Sequence, residues 1–378
     1  MATRDAAFIY SPQLERYHYP QDCPFNTARA GKLRKVLSSM GLLSGPGKSE
    51  IPPAPAERIV LKKFHSARYL HALKVAQKGH WDIEALSMGI GTLDCPIFAG
   101  VYDYAVLASG ATLTGVDLIL SGAADAVFNP SGGFHHAGYE KAAGFCYIND
   151  VGLACMVLAE HGKKVLYLDV DVHHSDGVQD AFYDRSDVMT ISFHESGKTL
   201  FPGTGFEDEI GSGQGKGYCV NVPLPVGTYD EIYMKAFKAV ALPLIGSFNP
   251  DVIVFELGAD GLAGDPLAHL YLTNNVYTEI IGSLLTFSKP VLMTGGGGYN
   301  VENTVRAWAL AWTVLCGEDN VHDMNLGLGG VMLQSTDWQG GLRDRTLVIG
   351  PQQREAVIPA IEETIQRIKS TIFPLHGL

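Results

Sequence analysis

Basic charge is what this sequence has least of. Lys and Arg number 28 against 40 Asp and Glu, so the 378-residue chain carries a formal net charge of −12. A basic face for nucleic-acid phosphates is therefore not indicated. Cationic partners, such as lysine-rich peptides or polyamines, are compatible with such a surface. Charged residues make up only 18% against 46% hydrophobic, too much apolar material for wholesale disorder. The six cysteines, Cys23, Cys95, Cys146, Cys155, Cys219 and Cys316, form no C-x-x-C pair, which argues against a Cys-rich zinc site or a redox motif. The start, Met1-Ala2-Thr3-Arg4-Asp5, lacks the apolar region of a secretory leader, and no apolar run reads as a bilayer span. These absences lead to the expectation of a soluble, cytoplasmic protein with no membrane or direct nucleic-acid partner. They leave its oligomeric state open.

What the chain has is an alternation of apolar runs and amphipathic stretches. Ala6 to Tyr10, Val165 to Leu168, Asp251 to Leu257 and Lys289 to Met293 read as strands. Helices are expected from Asn26 or Thr27 to about Met40, then over 99–121, 152–162, 229–245, 276–288 and 304–315. The proline- and glycine-rich stretch 44–57 reads as a loop. Val357, Ile361, Ile365, Ile368 and Ile372 recur at near-helical spacing and predict a terminal helical cover over about 351–372. Such alternation predicts an α/β class with a mostly parallel sheet and helices on both faces. Ligands then bind at the carboxyl ends of the strands. One domain over 1–378 is expected, with no internal repeat.

Three constellations gather at those ends. The first is Asp169-Val170-Asp171-Val172-His173-His174, where Asp171 and His173 are two apart and so share a face. It reads either as a metal half-site or as a polar strand end meeting solvent. Asp260 adds a third donor if it is not simply the cap of a following helix. Three N/O donors leave a position open, as a catalytic metal needs; zinc fits, and ferrous iron or cobalt suits the same ligands. The second is Ser131-Gly132-Gly133-Phe134-His135-His136-Ala137, whose adjacent imidazoles read as an acid/base pair, as metal ligands or as surface histidines. Asp169 and Asp176 could each accept an imidazole N–H. The third is Gly295 to Gly298 followed by Tyr299-Asn300. No Lys-Ser/Thr follows the glycines, so a P-loop is excluded, and Tyr299 reads as a phenol donor at the site edge.

Together with Asp94-Cys95-Pro96, the run Gly144-Phe145-Cys146-Tyr147-Ile148-Asn149-Asp150, Phe201-Pro202-Gly203-Thr204-Gly205 and Glu256-Leu257-Gly258-Ala259-Asp260, these segments stand in the order of a known family. Over about residues 6–316 the chain resembles the zinc-dependent histone deacetylases. It is nearest to class I and to bacterial relatives that include the acetoin-utilisation deacetylases. The resemblance implies an arginase-like α/β fold and removal of acetyl or related acyl groups from lysine side chains of proteins or peptides. It implies zinc on Asp171, His173 and Asp260, and His136 as general base and acid beside His135. Asp176 and Asp169 would be their carboxylate partners, and Tyr299 would polarise the acyl carbonyl. Gly144, Phe145, Phe201 and Leu267 would line the acyl-lysine tunnel, with Asp94 at its rim holding the substrate backbone. Potassium would bind at Asp169, Asp171, His173, Ser192 and Phe193 as a structural ion. His174 would point away from the metal.

Two departures lie at the tunnel mouth: Leu93 where the family commonly has Tyr, and Glu195 where class I often has Lys. A gatekeeping Glu195 would favour an acetylated polyamine as substrate. A manganese ureohydrolase and a non-catalytic acyl-lysine binder are the remaining alternatives.

Overall fold

The computed structural model describes residues 4–318 and 341–378. Its eight strands are β1 (Ala6–Ile9), β2 (Lys48–Ile51), β3 (Ala126–Asn129), β4 (Val165–Asp169), β5 (Val188–Glu195), β6 (Cys219–Leu224), β7 (Val252–Glu256) and β8 (Val291–Thr294). They form one sheet in the order β2-β1-β3-β8-β7-β4-β5-β6, and every pairing is parallel. Such a sheet must be covered on both faces, and its inner strands are buried at every position. Helices supply the cover. Val101–Leu120 packs on β1, β3 and β8, and Val301–Leu315 pairs with Arg29–Ser39 and Asn275–Leu285.

Three expectations change. The 44–57 stretch is not all loop: Lys48–Ile51 forms an edge strand beside β1. Its exposed Ser49 and Glu50 hide it from an apolar pattern. The helix expected over 229–245 is cut into Asp230–Ala236, a π-helical turn Phe237–Ala241 and Leu242–Phe248. Val101–Leu120 does have the length and hydropathy of a membrane span, yet 67% of its apolar window is buried against the fold. The terminal helix Pro351–Thr371 buries Val357, Ile361, Ile365 and Ile368 against β6 and Asp230–Ala236.

Register sets up the site. Asn129, Thr294, Glu256, Asp169 and Ser192 are successive cross-strand partners across β3, β8, β7, β4 and β5. The central sheet thus ends in one buried polar row. The chain continues past that row as 130–137, 295–300, 257–260 and 170–174, so all three constellations emerge on one edge.

Candidate active site

Strand β4 stops at Asp169, so Asp171 and His173 lie on a bend beyond it rather than on its face. They converge nonetheless. His173 Nδ1 lies 3.1 Å from Asp171 Oδ1 and 3.1 Å from Asp260 Oδ2. All three residues are buried, and their donor atoms lie within 4.8 Å of one another. The remaining oxygens are fixed from behind: Asp171 Oδ2 accepts the Gly297 N–H at 2.6 Å, and Asp260 Oδ1 accepts the Val172 N–H at 2.9 Å. A side chain at position 297 would overlap Asp260 Oδ2, which is why the glycine loop can close over the carboxylates. Asp260 is therefore no helix cap here; its carboxylate is turned into the cluster.

The charges show what the cluster demands. Burial and the neighbouring Asp171 push the Asp260 carboxyl up to about 7. Burial opposes a charge on His173, but hydrogen bonds to Asp171 and Asp260 overcome it and push the imidazole up to about 10. Two buried carboxylates facing one imidazole make a dianionic O/N/O set. A divalent cation satisfies that set better than one shared proton does.

Beside it, His135 Nε2 and His136 Nε2 lie 3.0 Å apart, each ring held by a different carboxylate. His135 Nδ1 meets Asp169 Oδ2 at 2.8 Å, and His136 Nδ1 meets Asp176 Oδ1 at 2.7 Å. The two environments diverge. For His135, burial is outweighed by the carboxylates of Glu256, Asp169 and Asp171, and its pKa lies well above 6.5. For His136, burial and the adjacent His135 lower it to about 4 despite Asp176. Pairs separated in this way take acid and base roles.

Tyr299 projects from the end of the glycine loop, its ring 5.8 Å from Phe145 and 6.5 Å from His173. Burial and the nearby Asp260 and Asp171 raise its pKa well above 10, so it remains a phenol. Phe201 stacks edge-on to His136 at 5.0 Å and is 45% exposed, so it stands at the surface rather than in the core. Phe145 is held at φ 65°, beside Gly144 at φ 53°. A Cβ on Gly144 would strike the His136 ring. Asp94 Oδ2 accepts the Gly144 N–H at 3.0 Å. Leu267 is half-buried, its N–H bonded to Asp265. Ser192 pairs with Asp169 in register and bonds His194, while Phe193 packs on Tyr233 and Phe237 in the core. His174 bonds Thr204 and Gln179, away from the cluster.

Most of the other site residues carry no motif and escape a sequence reading. Tyr167 places its hydroxyl 2.5 Å from Asp169 and 2.7 Å from Glu256, whose Oε1 lies 3.2 Å from His135 Nδ1. Burial pushes the Glu256 carboxyl well above its ordinary range despite the nearby His135. Buried Arg29 donates to the Gly296 and Gly298 carbonyls at 2.8 Å each, shaping the glycine loop from behind. Asp265 accepts the Tyr299 N–H at 2.7 Å. Glu256 alone of these stands in one of the segments that carry the family resemblance, Glu256 to Asp260. Glu195 is not a free gate: its side chain is fully buried and hydrogen-bonded.

A buried O/N/O cluster, a histidine pair with opposed pKa values and a phenol at one sheet edge define a hydrolase-type site. Comparison with known proteins agrees. Residues 23–315 match the model of the histone deacetylase domain, and the chain belongs to that family. It is 39% identical over 329 residues to the acetoin utilization protein AcuC of Bacillus subtilis, covering 85% of this chain and 84% of that one. It is 39% identical over 319 residues to histone deacetylase 8 of Danio rerio, covering 83% and 82%. A solved histone deacetylase homolog complexed with SAHA superposes with a TM-score of 0.87 at 30% identity, over 97% of this chain and 100% of that one.

Proposed function

We propose that the protein is a zinc-dependent deacetylase that hydrolyses the acyl amide of lysine side chains in proteins or peptides. Family membership supports the hydrolase class. The single observation that carries the mechanism is the meeting of His173, Asp171 and Asp260 next to the His135–His136 pair. Asp171, His173 and Asp260 would hold the ion. When bound, a divalent ion there supplies Lewis acidity for a water and for the acyl carbonyl. His136, kept neutral by burial and oriented by Asp176, takes the proton of the attacking water and returns it to the departing amine. His135, held by Asp169 and Glu256, places positive charge against the developing oxyanion. Tyr299 donates its phenol proton to that oxygen. Phe145 and Phe201 flank an apolar passage that suits a lysine stem. Asp94 holds the wall at Gly144. Potassium at Asp169, Asp171, His173, Ser192 and Phe193 would brace the bend that carries the ligands.

The catalytic core is assigned to about residues 6–316, with the terminal helix as a cover. All six cysteines are free thiols, in keeping with a reducing, cytoplasmic setting. The acetylpolyamine alternative loses the one residue that favoured it, because Glu195 is buried and paired. The test is a panel of acetyl-lysine peptides and acetylpolyamines on zinc-loaded protein. Faster turnover of the peptides is expected; preference for the polyamines would overturn the substrate assignment.

A further inference from the structure

Glu195 ends strand β5 and is a fully buried carboxylate tied to both loops of the proposed tunnel mouth. Its backbone N–H bonds the Val172 carbonyl at 2.8 Å, between Asp171 and His173. Its carboxylate is fully used. Oε2 accepts the His269 backbone N–H at 2.9 Å. Oε1 accepts from His269 Nδ1 at 2.9 Å and from the Thr199 hydroxyl at 3.0 Å. Thr199 stands two residues before Phe201, and His269 two residues after Leu267. The far side of His269 is also fixed, because its carbonyl accepts the Gly227 N–H at 2.9 Å. His269 itself is 58% exposed, so the pair joins a core anchor to the surface of the mouth.

We infer that Glu195 and His269 form a latch that sets the spacing of Phe201 and Leu267, and so act as positioning residues for substrate specificity. This rests on the deacetylase reading above. Neither residue touches the reacting atoms. Releasing the His269 side chain loosens the mouth while the His136, Tyr299 and ligand geometry stays put. Binding of the lysine stem weakens and the chemical step does not, which is a loss of uniform binding. Asn at position 269 sets its side-chain N–H close to where imidazole Nδ1 stands, so it restores the hydrogen bond that Ala removes.

The experiment compares wild type, His269→Ala and His269→Asn on one acetyl-lysine peptide, with hydrogen exchange of segments 196–204 and 264–271 measured in parallel. His269→Ala is expected to raise KM about tenfold with kcat within about twofold, and to speed exchange in both segments. His269→Asn is expected to bring KM back to within about threefold of wild type and to restore protection. Unchanged KM and exchange in His269→Ala would overturn the latch. So would a fall in kcat at constant KM, or equal losses in the Ala and Asn variants. Absence of turnover by the wild type, in contrast, overturns the deacetylase reading and the specificity role with it, while the exchange data still report whether the loops are joined.

Discussion

Tyr299 and Gly297 lie two residues apart on one loop, and their substitution is expected to fail in different ways. In the proposed reaction, Tyr299 contributes a donor whose value lies in the transition state alone. Tyr299→Phe is expected to lower kcat by about two to three decades, with metal content by elemental analysis unchanged. Near wild-type turnover would remove the phenol from the mechanism. Gly297 contributes its backbone N–H to Asp171 and, where a side chain would stand, room for Asp260. A methyl there would overlap Asp260 Oδ2 and crowd Asp171. Gly297→Ala is therefore expected to fold, to keep its far-UV spectrum and to lose stoichiometric zinc uptake. Full zinc binding by that variant would show that the loop yields freely. Chemistry-bearing residues were legible in the sequence because acids, imidazoles and a phenol are unusual at apolar strand ends. Tyr167, Arg29 and Asp265 were not, because each acts through a contact made by a segment far away in the chain.

The loop bearing His135 and His136 is held by a neighbouring helix start. Asn149 caps the helix Asp150–Glu160 by accepting the Gly152 N–H at 2.8 Å. Its amide donates to the carbonyls of His135 and Ala137, at 3.1 Å and 2.9 Å. Asn149→Ala removes a cap and strands two buried carbonyls, so a loss of about 2–3 kcal/mol is expected by urea titration. A loss under about 0.5 kcal/mol would mean that water replaces the amide. Behind it, buried His65 Nε2 accepts the Asn149 N–H at 2.9 Å, and burial lowers its pKa to about 3. The folded value lies below the ordinary 6.5, so the unfolded chain takes the proton first as the solution is acidified. The stabilising contribution is complete above pH 6.5 and is lost as pH falls toward 3. His65→Gln keeps an acceptor without a titration. Its loss of stability from pH 7 to pH 5 should be about 2 kcal/mol smaller than that of wild type, and parallel curves would refute this. Elements of this kind were partly legible: long apolar strands and periodic helices announced themselves. β2 did not, since an edge strand buries too little to show an apolar run. The bend after Asp169 did not either, because alternation says which residues meet and not where the strand ends.

At the scale of the molecule, the fold is a parallel sheet whose polar terminal row and three following turns share one edge. That arrangement was readable as a class from the alternation of elements. The strand order was not, because it depends on crossovers that leave no local mark. An ion held by Asp171, His173 and Asp260, as proposed, would be part of the fold's stability, since β4, β7 and their turns meet there. Chelation is expected to lower Tm, and added zinc to restore it with the logarithm of free zinc over Kd. An unchanged Tm would place the ion outside this cluster.

The central claim is one catalytic zinc serving acyl-lysine hydrolysis. It is tested most directly by measuring acetate released from an acetyl-lysine peptide while zinc is titrated into metal-stripped protein. Activity should rise linearly and break at one ion per chain. A break at two ions per chain, or no acetate at any loading, would contradict it.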